Sequence, residues 1–244
     1  MRIKIKIEYD GTGFCGWQIQ PNGRSVQEEL ELATEKITGV RLKVTGSGRT
    51  DSGVHAEGQI AHFDTEATIP PERFAAALNA VLPDDVKVLE SDRVADDFNA
   101  RFSAKRKTYR YKAYSSRFSH PLKDRYSVWI DHEVDCEKMK EAAKRFIGEH
   151  DFRCFLAADS DVESTVRTIY SATVERCGED IAFTVEGNGF LYNMVRIMAG
   201  TLIAVGEGKI TPEDVDKILD GKDRKLAGKT MPARGLTLLS VFYE

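Results

Sequence analysis

A chain of 244 residues, 41% of them hydrophobic and 30% charged, has room for one large or two ordinary domains and is neither disordered nor fibrous in balance. Its longest apolar stretches, such as residues 198–205, are interrupted by glycine and too short for a membrane span, and the start Met1-Arg2-Ile3-Lys4-Ile5-Lys6-Ile7 lacks a signal peptide's apolar run. A cytoplasmic location is therefore expected, and the net charge of −4 by itself points to no nucleic-acid partner.

Residues 2–8 alternate charge with isoleucine and predict a strand. After the loop 10–13, Ser25 with Glu28 three residues on predicts a capped helix carrying the stripe Val26, Leu30, Ala33 and Ile37 and stopping at Gly39. Residues 40–44 read as a short strand running into a glycine-rich segment, and 59–63 as another strand. Pro70-Pro71 opens a predicted helix over Phe74, Ala77, Leu78 and Val81. Residues 86–94 and 99–103 read as extended.

The second half repeats the mixture. Residues 107–114 alternate like a strand, with 126–130 as a partner, and 136–147 form an amphipathic helix. Residues 167–175 and 180–186 predict a strand pair around Cys177-Gly178-Glu179. A long apolar helix over 190–205 is expected to be buried, a shorter one runs from Pro212 to Leu219, and 236–243 make a last strand. Strands paired beside helices predict an α+β fold with a largely antiparallel sheet. The boundary falls near 103–106, and the two halves are expected to share one sheet or pack closely.

The four cysteines, at 15, 136, 154 and 177, are nowhere closer than 18 residues and form no CxxC or CxxH pair, so neither a metal site nor a disulfide framework is expected. His55 and His62 lack a third ligand at a sensible spacing and read as structural histidines. Charge is unevenly spread: residues 101–123 hold eight Lys or Arg and no acid, a basic segment able to face phosphates.

Three segments carry chemistry. The first is Gly48-Arg49-Thr50-Asp51-Ser52-Gly53-Val54-His55-Ala56. It is no Walker A loop and no GxGxxG; Gly228-Lys229-Thr230 also fails, because Asp223 stands where the first glycine is needed. One reading is a tight loop in which Arg49 and Asp51 merely pair across a turn. The other is a carboxylate kept ionised by an adjacent arginine, as nucleophilic attack on a sugar carbon requires. The second segment, residues 105–112, places Lys107, Tyr109 and Tyr111 on one face of a strand and Arg110 and Lys112 on the other. Cations with aromatic rings suit phosphates and stacked bases, although a solvated strand with core tyrosines gives the same pattern. The third is Arg196, alone in an apolar helix and in need of an acidic partner, which Asp51 or any nearby acid would satisfy.

Together these segments resemble the tRNA pseudouridine synthase A family over almost the whole chain. Residues 8–11, 16–18 and 25–27 are similar to its opening motif, 48–56 to its catalytic GRTDxGVHA, and 99–104 with 109–111 to the next. Met194-Val195-Arg196 with Gly200, and 232–238, are similar to the remaining two. Ser52 stands where alanine is usual, and Met231 where a small residue is more common.

The resemblance implies two similar α/β subdomains, 1–104 carrying the nucleophile and 105–244 completing a cleft, around a mainly antiparallel central sheet. It implies a homodimer, tRNA as partner, no metal or organic cofactor, and uridines 38, 39 and 40 of the anticodon stem-loop as substrates. It makes Asp51 the nucleophile and has Arg49 fill the space of a flipped base. Tyr109 stacks on the uracil, Arg196 holds Asp51 ionised, and Lys107 and Arg110 bind RNA. The rivals are an RNA-binding protein without catalysis and a glycosylase that releases free uracil.

Overall fold

The computed structural model describes residues 1–21, 23–157, 162–221 and 223–244. They form two units, Met1–Lys105 with Leu238–Glu244, and Arg106–Thr237. The fold is α+β with mainly antiparallel pairing.

In the first unit, the isoleucines at 3, 5 and 7 put one face of β1 (Arg2–Tyr9) into the core at 0–1% exposure. Ser25 accepts the Glu28 amide at 3.3 Å and starts α1 (Val26–Thr38), which buries Val26, Leu30 and Ala33 and stops at Gly39. The two-residue β2 (Thr45–Gly46) pairs with β3 (His55–Asp64). A single turn over Pro71–Arg73 leads into α2 (Phe74–Asn79), followed by β4 (Val86–Val94). β1 lies between β3 and β4, antiparallel to both, and Phe63 meets Phe74 edge-on at 5.5 Å.

The second unit opens with β5 (Arg106–Ser115), which takes β6 (Val128–Ile130) as a parallel partner. α3 (Cys136–Lys144) and β7 (Gly148–Asp151) follow, then the antiparallel pair β8 (Val166–Cys177) and β9 (Asp180–Gly187). The order is β5–β9–β8–β7, every step antiparallel. α4 (Met194–Gly206) is apolar nearly all round and correspondingly buried, with α3 packed on it and on β8. α5 (Asp214–Gly221) comes next. The last strand, β10 (Leu236–Phe242), belongs to the first unit from Leu238 onward and lies beside β3 there.

Several expectations are corrected. Residues 40–44 are not a strand, because their backbone donors are taken by α1: Leu42 N–H donates to the Thr34 hydroxyl at 3.0 Å and Val44 N–H to the Glu31 carboxylate at 3.2 Å. Residues 99–103 are a turn rather than extended, since the Asn99 side chain accepts the amides of Arg101 and Phe102 at 2.9 and 3.1 Å. Residues 190–193 lie outside α4, because Asn193 adopts a left-handed conformation (φ 62°) that interrupts the helix. Residues 145–147 leave α3 through bonds three residues back, and Val81 lies beyond α2.

Candidate active site

Asp51 sits at the rim of the first unit, in a loop gripped from two directions. The chain at Phe14–Trp17 runs alongside it: Gly16 and Asp51 form an antiparallel bridge, and the Trp17 amide donates to the Thr50 carbonyl at 3.0 Å. The Phe14 carbonyl accepts the Gly53 amide at 3.4 Å and the Ser52 hydroxyl at 3.2 Å. Glycine is required at 16, where φ is +116° and a Cβ would stand 2.7 Å from the Thr50 carbonyl oxygen. Behind this segment the Arg24 guanidinium lies 4.3 Å over the Phe14 ring and forks onto Asp85 at 2.6 and 2.9 Å.

From the core side, the Tyr9 and Thr50 hydroxyls share a hydrogen bond of 2.7 Å. Burial pushes the Tyr9 phenol up to about 12, against the hydrogen bonds it makes, so it stays a neutral partner. The Ser47 hydroxyl donates to the Gln59 side-chain carbonyl at 2.6 Å, and the Gln59 amide nitrogen donates to the Gly48 carbonyl at 3.1 Å. Thr50 therefore points inward and is buried, while Arg49 on one side is exposed and Asp51 on the other half-buried.

Tyr109, Lys107, Arg110 and Arg196 belong to the second unit. Tyr109 on β5 faces Val185 of β9, is half-buried, and meets Phe190 edge-on at 5.1 Å and 81°. Tyr111, on the same face, is a core residue instead: it is buried, donates to the Pro232 carbonyl at 2.8 Å, and its phenol is raised by desolvation. Lys107 is half-buried opposite Gly187, and the Arg110 Nε lies 3.4 Å from the Thr184 hydroxyl. Elsewhere in the basic segment, Arg106 pairs with Glu186 at 3.1 Å, and Lys123 with Asp180 at 2.7 Å and Glu179 at 3.6 Å.

Arg196 lies in the first turn of α4, half-buried. Its Nε donates to the Met231 carbonyl at 2.7 Å and its Nη1 to the Asn193 side-chain oxygen at 2.5 Å. The strand-like segment 228–232 runs close along the helix, and Gly200 admits it: a Cβ there would fall 1.9 Å from the Lys229 carbonyl oxygen. The supporting residues Tyr9, Ser47, Gln59 and Asn193 were not among the sequence candidates. Their signals are faint, a glutamine inside a strand and an asparagine just ahead of an apolar helix.

His55 Nδ1 accepts the Gly11 amide at 3.0 Å and His62 Nδ1 the Ala100 amide at 3.1 Å, structural tasks in both cases. Desolvation, helped by Arg2, lowers the His62 pKa. Cys136 and Cys154 are buried, and desolvation raises the Cys154 thiol to about 11. Among the described residues, no group of three His, Cys, Asp or Glu is arranged to hold a metal ion, and no helix is long and apolar enough to cross a membrane.

Residues 5–103 and 142–244 match a family model described as tRNA pseudouridine synthase. The chain is 48% identical over 246 residues to the tRNA pseudouridine synthase A of Bacillus subtilis (strain 168), covering 100% of both chains. It is 46% identical over 241 residues to the protein of the same name from Acetivibrio thermocellus, covering 99% of both. Among solved structures it is similar to a chain of a Cbf5-Nop10-Gar1 complex, with 14% identity and a TM-score of 0.39, over 97% of this chain and 48% of that one.

Proposed function

Because this chain belongs to the tRNA pseudouridine synthase family, we propose that it isomerises uridine to pseudouridine at positions 38, 39 and 40 of the tRNA anticodon stem-loop, with Asp51 as nucleophile. The observation that carries the residue assignment is the Asp51 loop: Thr50 is buried and held by Tyr9, with Arg49 exposed on one side of it and Asp51 half-buried on the other.

The target uridine first leaves its stack, at a cost of about a few kcal/mol. Arg49, exposed beside the nucleophile, takes the vacated space. Tyr109 stacks on the flipped uracil, its ring fixed by Phe190. The Asp51 carboxylate attacks the ribose C1′ and the bond from C1′ to N1 breaks. The uracil turns, C5 bonds to C1′ as the bond from C1′ to the Asp51 oxygen breaks and frees the carboxylate, and the C5 proton is lost with assistance from Tyr109 while N1 gains one. Arg196, preset by Met231 and Asn193, holds Asp51 ionised and oriented. Lys107 and Arg110 meet phosphates. The work is divided between an N-terminal subdomain, 1–104, that carries the nucleophile and a C-terminal one, 105–244. The active species is a cytoplasmic homodimer with tRNA as its partner, a reading supported by the family resemblance.

The test is tritium release from tRNA labelled at uracil C5. The expected result is label lost with the base retained on the ribose, and none lost with Asp51→Asn. Release of free uracil would convert the reading to a glycosylase, and undiminished turnover by Asp51→Asn would remove Asp51 as nucleophile. Sedimentation of the purified protein at twice the monomer mass is expected of the homodimer.

A further inference from the structure

We propose that Tyr9 and Gln59 are positioning residues for Asp51, two buried anchors that fix the loop 47–51 from the core side. The proposal deepens the reading of Asp51 as nucleophile and rests on it.

The anchors draw on three parts of the first unit. Tyr9 ends β1, Gln59 lies in β3, and Ser47 and Thr50 lie in the loop. Ser47 and Gln59 are wholly buried, and Tyr9 and Thr50 nearly so. Gln59 accepts from the Ser47 hydroxyl at 2.6 Å and donates to the Gly48 carbonyl at 3.1 Å. Tyr9 in turn holds Thr50 at 2.7 Å. The residues seized, 48 and 50, bracket Arg49, and the second directly precedes Asp51.

A wholly buried glutamine in a strand is an unusual choice for stability. An apolar residue of similar volume would fill the same space without two N–H donors and two oxygen lone pairs to satisfy. What the glutamine adds is direction. Its planar amide fixes the Gly48 carbonyl relative to β3, and the Tyr9 hydroxyl fixes the Thr50 side chain relative to β1. Together with the Trp17 amide on the Thr50 carbonyl, residue 50 is held by both its side chain and its backbone. The orientation of Asp51 follows from that of Thr50, and a nucleophile misplaced by about 1 Å forfeits about a hundredfold in rate.

The experiment compares wild type, Tyr9→Phe, Thr50→Val, Thr50→Ser and Gln59→Leu in single-turnover tritium release, in tRNA affinity and in amide hydrogen exchange over residues 48–53. Tyr9→Phe and Thr50→Val should each slow turnover about 10- to 100-fold with tRNA affinity held within about threefold. The double variant Tyr9→Phe with Thr50→Val, measured alongside, should be no slower than the slower single, and Thr50→Ser should retain most of the wild-type rate. Gln59→Leu should match them in rate while keeping its melting temperature within a few degrees. Wild-type rates in Tyr9→Phe and Thr50→Val, or a rate loss matched by an equal loss of tRNA affinity, would overturn the proposal. If wild type itself releases no tritium, the reaction assigned above fails, and exchange alone then decides the anchoring. Faster exchange over 49–51 in Tyr9→Phe supports it, and unchanged exchange overturns it.

Discussion

Arg196 and Met231 bind each other twice: the Arg196 Nε donates to the Met231 carbonyl at 2.7 Å, and the Met231 amide donates back to the Arg196 carbonyl at 3.3 Å. The direction of the guanidinium is thereby tied to the path of residues 228–232. That path depends on the missing side chain at 200. Gly200→Ala would put a Cβ 1.9 Å from the Lys229 carbonyl oxygen, backbone against backbone, with no flexible group to yield. A loss of about 3 kcal/mol in urea unfolding is expected, with turnover falling further than folding alone explains. An unchanged unfolding midpoint would show that the segment does not need this approach.

Ser52 differs from the alanine usual in the resembled motif, and its hydroxyl donates to the Phe14 carbonyl at 3.2 Å from an exposed position. The same carbonyl also accepts the Gly53 amide. Ser52→Ala should therefore cost no more than about 0.5–1 kcal/mol in urea unfolding and change tritium release less than about threefold. A larger rate effect without a stability effect would give this hydroxyl a role in the reaction.

His132 sits between two carboxylates, with Nδ1 2.7 Å from Asp131 and Nε2 2.9 Å from Glu207, which is itself bound by Lys209. Its pKa is raised chiefly by the Asp131 bond, against some desolvation and with help from Glu207. A group whose folded pKa lies above its unfolded value of about 6.5 stabilises fully below that pH. The contribution fades as the pH rises from there through the folded value. Thermal unfolding followed from pH 6 upward should show this decline in wild type and a flatter profile in His132→Gln. The effect should be small, because nearly half of the ring is solvent-exposed.

The basic segment should bind RNA with a weaker salt dependence than its eight cations suggest. Arg106 and Lys123 are engaged by Glu186 and by Glu179 and Asp180. Eight phosphate contacts would give a log–log slope of about −6 to −7. The measured slope for tRNA should be clearly shallower, and Lys107→Ala should reduce it by about 0.7–0.9. A full slope would mean that RNA displaces both carboxylate sets.

Much of the fold was readable because burial leaves a period. Ile3, Ile5 and Ile7 announce β1, and Ser25 with Val26, Leu30 and Ala33 announces α1. Residues 40–44 misled because Val40, Leu42 and Val44 alternate like a strand, while their amides satisfy side chains of α1, a partner no period records. Asn99 defeated the extended reading of 99–103 in the same way, by supplying acceptors locally. At the site, the Asp51 segment was legible as a motif, but its anchors were not. Gln59 looks like any polar strand residue until its burial is known, and the partners Met231 and Asn193 of Arg196 are set by a close backbone approach and a left-handed residue.

The bond between Tyr9 and Thr50 joins residues 41 apart in sequence, and that between Ser52 and Phe14 joins residues 38 apart. Order in the Asp51 loop thus carries the closure entropy of these long-range contacts, and the anchor from Gln59 also requires β3, which follows the loop in sequence. The arrangement of the Asp51 loop and the folding of the first unit should therefore appear and vanish together, so local opening of that unit is expected to release the loop even while the second unit stays folded.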